Sequence, residues 1–142
     1  MTQKLVAPEI SMKGNFSYDE KGQFYSTTKV YGYIKKNNCP LSYEFLLGLL
    51  NSSLFWFFIR NTGYILRGGY FTFKTNYILP FPIPTYSNIN NNYIEEIEKS
   101  VHSILSNRKL KGNNFNITDD LRRIDRIVLK IYDLEDESES IR

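Results

Sequence analysis

Between Phe45 and Ile59 the chain reads FLLGLLNSSLFWFFI, a run without a single charge. So apolar a stretch must leave water, and the rest of the chain has to accommodate that. A membrane-crossing helix needs about 20 apolar residues. This run is shorter and has Asn51, Ser52 and Ser53 at its centre, so we expect no membrane partner. The pattern predicts one buried helix from about Tyr43 to Arg60. Ser42 is placed to cap it, and Glu44 sits in the first turn, where the helix dipole favours an anion. Asn61-Thr62-Gly63 ends it, with Gly63 as the cap residue. Trp56 is expected in the core.

The segments before it read as strands. KLVAPEIS, Lys4 to Ser11, is extended, with Pro8 at an edge or bulge. Asp19-Glu20-Lys21-Gly22 has the chemistry of a turn in which Gly22 adopts positive φ. The arm that follows alternates as one side of a hairpin. Tyr25, Thr27, Lys29, Tyr31 and Tyr33 share its polar face. Phe24, Thr28, Val30 and Ile34 share its apolar face.

RGGYFTFKTNYILPFPIP, Arg67 to Pro84, carries the densest punctuation in the chain. Two adjacent glycines allow a sharp turn or a close backbone approach. Tyr70, Thr72 and Lys74 alternate with Phe71 and Phe73, which predicts a strand. The proline ladder lacks too many N–H donors for a sheet interior, so it reads as an extended exit. SNINNN is a linker. A helix from about Asn92 to Lys109 carries the stripe Ile94, Ile97, Val101, Ile104 and Leu105. A last helix, capped by Thr118 and running to about Leu134, has Leu121, Ile124, Ile127, Val128 and Ile131 on its inner face. These two helices should pair antiparallel, and EDESES should be solvated. The fold class is α+β: a mixed, mostly antiparallel sheet around one buried helix, then a C-terminal helical pair. The division falls at residues 1–84 and 85–142.

Charge follows the same division. Of the 142 residues, those up to Pro84 hold nine Lys/Arg against four Asp/Glu, and eighteen of the 22 aromatics. From Thr85 on, nine basic residues face eleven acidic ones. A basic, aromatic body suits a polyanion. Cys39 is the only cysteine, which fits a reducing cytoplasm. Catalytic chemistry is sparse. His102 is the one histidine, placed for a surface or packing role, and no metal set or nucleophile–base pair is suggested. Asp19, Glu20 and Lys21 superficially offer a nuclease cluster, which a turn explains better. The chain reads as a binder with no catalytic residues and no cofactor of its own.

APEIS, NFSYDEKGQFYSTT, LLGLLNSSLFWFFI and RGGYFTFKTNYILPFPIP occur in that order, and IDRIVLKIYDLEDES closes the chain. Together they resemble the TaqI-like C-terminal specificity domain of N6-adenine DNA methyltransferases and fused type IIG restriction–modification enzymes, over about residues 4 to 134. The resemblance implies a target recognition domain. Such a domain clamps double-stranded DNA against an N-terminal methyltransferase domain, which flips an adenine and methylates it from S-adenosylmethionine. No catalytic region is in this sequence, so the expectation is a C-terminal fragment of a larger enzyme.

Candidate DNA-binding residues follow. Arg67 leads, because glycines beside it let backbone approach DNA while the guanidinium reaches a phosphate or a guanine edge. The plainer reading is that Arg67 pairs with a buried carboxylate or a helix C-terminus and the glycines only shape a turn. Lys74, Tyr70, Arg60, Lys13 and Lys29 add basic or hydroxyl groups, with Lys35 and Lys36 beside them. Asn15 and Tyr18 precede the turn, where Asn can read adenine and Tyr can bond phosphate. Their plainer role is local turn bonding. Two other readings stay open: half of a type I restriction specificity subunit, and a protein-interaction module whose aromatic surface docks on a catalytic partner.

Overall fold

The computed structural model describes residues 3–11, 15–23, 30–112 and 116–141. It is an α+β fold in which all strand pairing among the described residues is antiparallel. β1 (Lys4–Pro8) lies between β3 (Ser17–Asp19) and β4 (Val30–Tyr33). β2 (Ile10–Ser11) pairs with β5 (Phe71–Thr72) in a second, two-stranded sheet. Pro8 ends β1 opposite Val30, where its missing N–H costs little.

The arm expected to follow the turn at Asp19–Gly22 begins in residues 24–29, outside the described residues, so its pairing with β3 is not described. Gly22 does turn with φ 66°, and its N–H donates to the Asp19 carbonyl at 3.3 Å. Among the described residues, β1 sits between β3 and β4. The face assignment on β4 is reversed. Val30 and Ile34 are exposed, while Tyr33 packs its ring 5.8 Å from Phe16. Tyrosine satisfies both demands: the ring joins the core and the hydroxyl donates to the Phe73 carbonyl at 3.2 Å.

The single helix expected over Tyr43–Arg60 is two. α1 spans Tyr43–Leu50 and α2 spans Ser53–Thr62. The polar centre of the run makes the break. Ser42 Oγ caps α1, accepting from Phe45 N at 3.1 Å. Ser52 Oγ donates to the Leu49 carbonyl at 2.6 Å and accepts from Phe55 N at 3.2 Å, so one hydroxyl closes α1 and opens α2. Asn51 clamps the strand side. Its Oδ1 accepts from Phe16 N at 2.8 Å and its Nδ2 donates to Phe16 O at 2.9 Å. Gly63 caps α2, its N–H bonding the Ile59 carbonyl, in an extended conformation.

Phe45, Leu49, Phe55 and Ile59 have no exposed surface. Trp56 is only half-buried, with its ring on Phe71 and Phe73. After β5 the expected strand stops. Lys74 precedes a short helical turn, α3 (Thr75–Ile78), and Phe71, Thr72 and Phe73 are all buried, so the alternation fails. The proline ladder leaves as expected but is anchored. Phe81 packs edge-on against Phe55, with centroids 4.9 Å apart, and Tyr132 Oη donates to the Pro82 carbonyl at 2.6 Å.

A 3-10 turn at Tyr86–Asn88 interrupts the expected linker, and Ile89 beyond it is buried. α4 (Asn91–Lys111) and α5 (Thr118–Ile131) form the helical pair. Thr118 is the first helical residue, not the cap. Asn116 Oδ1 takes the Thr118 N–H at 2.9 Å. α5 ends at Ile131, short of Leu134, and Leu121 is 42% exposed rather than on the inner face. The acidic tail is not plain solvated chain. It forms a 3-10 turn, Glu135–Glu137, then α6 (Ser138–Ile141), which buries Ile141.

The pair packs directly on the body. At Gly48 a Cβ would lie 2.8 Å from an Ile97 methyl and 3.1 Å from a Val101 methyl, so α1 and α4 meet at a contact only glycine permits. Asp125 of α5 accepts from both Ser53 N, at 2.8 Å, and Ser53 Oγ. That places a carboxylate on the N-terminus of α2, where the dipole favours it.

Burial raises the pKa of three tyrosines. Tyr18 is pushed from 10.0 to about 12, by desolvation first and then by Glu44 and Glu20. Tyr33 and Tyr132 also move up through desolvation. A raised folded pKa means stability that is complete below the unfolded value and lost as pH rises through the folded one. Denaturant midpoints should therefore hold up to pH 10 and fall between about 10 and 12. Tyrosinate absorbance should show a late-ionising group. One uniform transition near pH 10 for all 11 tyrosines would contradict it.

Candidate nucleic-acid interface

The segment Tyr64–Tyr70 folds back on itself beside β5, with Ile65 in an antiparallel bridge to Phe71. Leu66 N donates to Tyr70 O at 2.6 Å, and Gly69 N donates to Leu66 O at 3.2 Å. Leu66-Arg67-Gly68-Gly69 is thus a four-residue turn with Arg67 and Gly68 at its centre. Gly68 has φ 87°, the value that the second central position of a type II turn requires, and Gly69 follows at 82°. A side chain at either glycine would be strained whatever the space. Over Gly69 there is also nothing within 4 Å of a notional Cβ. The backbone is bare on that side, open to close approach.

Arg67 therefore stands at the tip of a hydrogen-bonded turn. It is exposed, and it engages no carboxylate among the described residues. The part of the plainer reading that pairs Arg67 with a buried acid finds no such acid among the described residues. Tyr70 is 42% exposed beside it. Lys74 extends from the end of the same segment and meets Glu9 Oε1 at 3.7 Å. That pair is exposed and worth at most about 1 kcal/mol, so phosphate can compete for the lysine.

Below the turn lies an open depression of about 380 Å³, lined by Glu9, Ile10, Tyr64, Leu66, Thr72 and Lys74 together with Asn76 and Tyr77. The sequence reading missed Asn76 and Tyr77. They stand inside the quoted Arg67–Pro84 run, but read as the trailing end of a strand they had no direction. α3 turns them to the depression.

The other candidates are elsewhere. Asn15 is exposed and Tyr18 half-buried, and both line a separate cleft of about 560 Å³ between β3, the α1–α2 junction and the α4–α5 pair. Tyr18 stacks on Tyr43 with centroids 5.4 Å apart, a packing role. Arg60 is corrected. Its Nη2 donates to the Ile141 carbonyl at 3.3 Å and its guanidinium lies over Trp56 and Phe57, so it staples α6 to α2. Lys35 is committed too, to the Leu41 carbonyl and the Tyr43 ring. Lys36 and His102 are exposed. Lys13 and Lys29 lie outside the described residues.

The turn cluster Asp19, Glu20 and Lys21 is dispersed. Asp19 is buried against Lys4 at 2.6 Å, and Glu20 meets Lys109 at 3.5 Å. Among the described residues, no three His, Cys, Asp or Glu side chains group as metal ligands. No helix among them is long and apolar enough to cross a membrane.

Residues 1–83 match the TaqI-like C-terminal specificity domain. The chain belongs to this family. A TaqI-like specificity domain is a DNA-recognition unit of restriction–modification enzymes, and the match covers both sheets, α1, α2 and the Arg67 turn. A search of curated proteins finds no match. The helical pair, α4 and α5, lies beyond the matched residues.

Proposed function

We propose that this chain reads duplex DNA in sequence-specific fashion for an N6-adenine DNA methyltransferase of a restriction–modification system. The observation that carries the reading is Arg67, without a carboxylate partner among the described residues, at the tip of a two-glycine turn in a domain of a specificity family. Base edges in the major groove give specificity, and phosphates give register and affinity. Arg67 takes the base-reading role, bidentate to guanine O6 and N7. Asn76 offers an amide to adenine. Lys74 and Tyr70 reach flanking phosphates. S-adenosylmethionine and the base-flipping pocket belong to the methyltransferase domain that this unit serves, in a reducing cytoplasm.

The test is Arg67→Ala beside Arg67→Lys, with duplex binding followed by fluorescence anisotropy. Loss of a bidentate arginine–guanine pair is worth about 1–3 kcal/mol, or roughly 5- to 150-fold in affinity for the preferred site. Arg67→Ala should lose that much and relax preference at one base pair. Arg67→Lys should keep general affinity and lose the same preference, because an ammonium cannot make the planar fork. Unchanged preference in both variants removes Arg67 from the reading role. Binding that ignores salt points instead to a protein-docking surface.

A further inference from the structure

We infer that the groove between α4 and α5 is a second phosphate site, seated on the helical pair outside the matched domain, and that it grips the DNA backbone. The claim rests on the DNA-recognition reading above. The groove has a volume of about 360 Å³ and is lined by Lys99, Arg123, Arg126 and Lys130, with Glu96 as its one acid and Ser100 and Ile127 also on its walls.

Its charge stands against its surroundings. The segment from Thr85 on has more acidic than basic residues, yet four cations converge here on one carboxylate. Helical geometry explains it. Arg123, Arg126 and Lys130 recur at spacings of three and four, on one face of α5. Lys99 faces them from α4, whose antiparallel register is marked by Ser103 Oγ on Asp120 Oδ2 at 3.4 Å. Of the α5 acids, only Asp120 is paired with a cation of the groove. Asp125 caps α2, and Asp120 meets Arg123 only at 3.4 Å, with the arginine half exposed.

A second observation points to a ligand. Ser100 is 1% exposed, and its Oγ has no hydrogen-bond partner among the described residues. A buried hydroxyl is normally paired. Here it lines a cationic groove, where a phosphate oxygen supplies the missing acceptor. Three or four cations around an oxyanion, with a hydroxyl donor among them, is the chemistry of phosphate recognition.

The experiment uses the whole chain, with Arg126→Gln/Lys130→Gln as one variant and Ser100→Ala as another. Duplex affinity is measured across a salt series. Separately, inorganic phosphate is titrated while backbone amide resonances are followed. The double variant should bind every duplex several-fold more weakly and flatten the log–log salt slope by about 2, since each phosphate contact contributes about 0.9. The base preference set by Arg67 should stay. In the wild type, phosphate should shift the amides of Lys99, Ser100, Arg126 and Lys130. Ser100→Ala should weaken phosphate binding without lowering the melting temperature, whereas a purely packing serine would leave phosphate binding unchanged. An unchanged salt slope in a folded double variant overturns the DNA role. No phosphate-induced shift in the groove overturns the site itself. If phosphate shifts the groove but no duplex binds, the anion site holds and the DNA-recognition reading fails.

Discussion

Asp19→Ala should destabilise the fold by about 3–5 kcal/mol, the usual loss when one member of a buried ion pair is removed. Lys4 Nζ and Asp19 Oδ2 are 2.6 Å apart, with side chains 8% and 2% exposed. They also face each other in the β1–β3 register. Removing the carboxylate strands an ammonium that cannot reach water without opening the sheet. The same carboxylate accepts the Gln23 N–H at 2.9 Å, so the turn at Gly22 loosens too. Against a total stability of about 5–15 kcal/mol, the loss is a large fraction. The charge explanation is separable. Lys4→Met with Asp19→Leu replaces the pair by apolar volume and should recover most of the loss. About 1 kcal/mol should stay missing for the Gln23 hydrogen bond. Urea melts of the three variants decide it. If the double variant is as unstable as Asp19→Ala, the cost lies in the turn and not in the stranded charge.

Phe55→Ala carries a comparable loss of about 3–5 kcal/mol, from lost burial and the cavity left behind. Phe55 is wholly buried. Its ring meets Phe16 at 5.7 Å and Phe81 at 4.9 Å, so it joins the strand side of the core to the proline ladder. Phe81 in turn contacts Tyr132 just past α5, at 5.7 Å. The substitution should therefore loosen the ladder and its clasp, Tyr132 Oη on Pro82 O, along with the helix. Denaturant unfolding gives the magnitude. Hydrogen exchange should show faster opening at Phe81 and Tyr132 than at β1. Uniform acceleration across the chain would mean that the ladder is not a separate dependant of Phe55.

What the sequence made legible was local. Gly22 takes the positive φ that its turn chemistry predicts, and the pair Gly68–Gly69 makes the sharp turn expected of it. Helical period identified α4 and the stripe that meets α1. The split of the apolar run into α1 and α2 was not legible in the same way. Ser52 could have been a tolerated polar residue within one helix. What makes it a break is Asn51 gripping Phe16, 35 positions away in sequence. The order β3-β1-β4 is likewise a non-local outcome. The bond from Arg60 to the Ile141 carbonyl was not legible, because a backbone acceptor has no signature. Arg67 was legible because the glycines define its turn. Asn76 and Tyr77 were not, because their direction depends on a four-residue helix that alternation argued against.

The most direct measurement is selection by the whole chain from a randomised duplex pool at low salt, followed by affinity for the selected duplex across a salt series. The account predicts enrichment of one short motif containing a guanine, whose readout is lost in Arg67→Ala, with affinity falling by about 0.9 log units per log unit of salt for each phosphate neutralised. Binding with no enriched motif, or no binding at low salt, would contradict it.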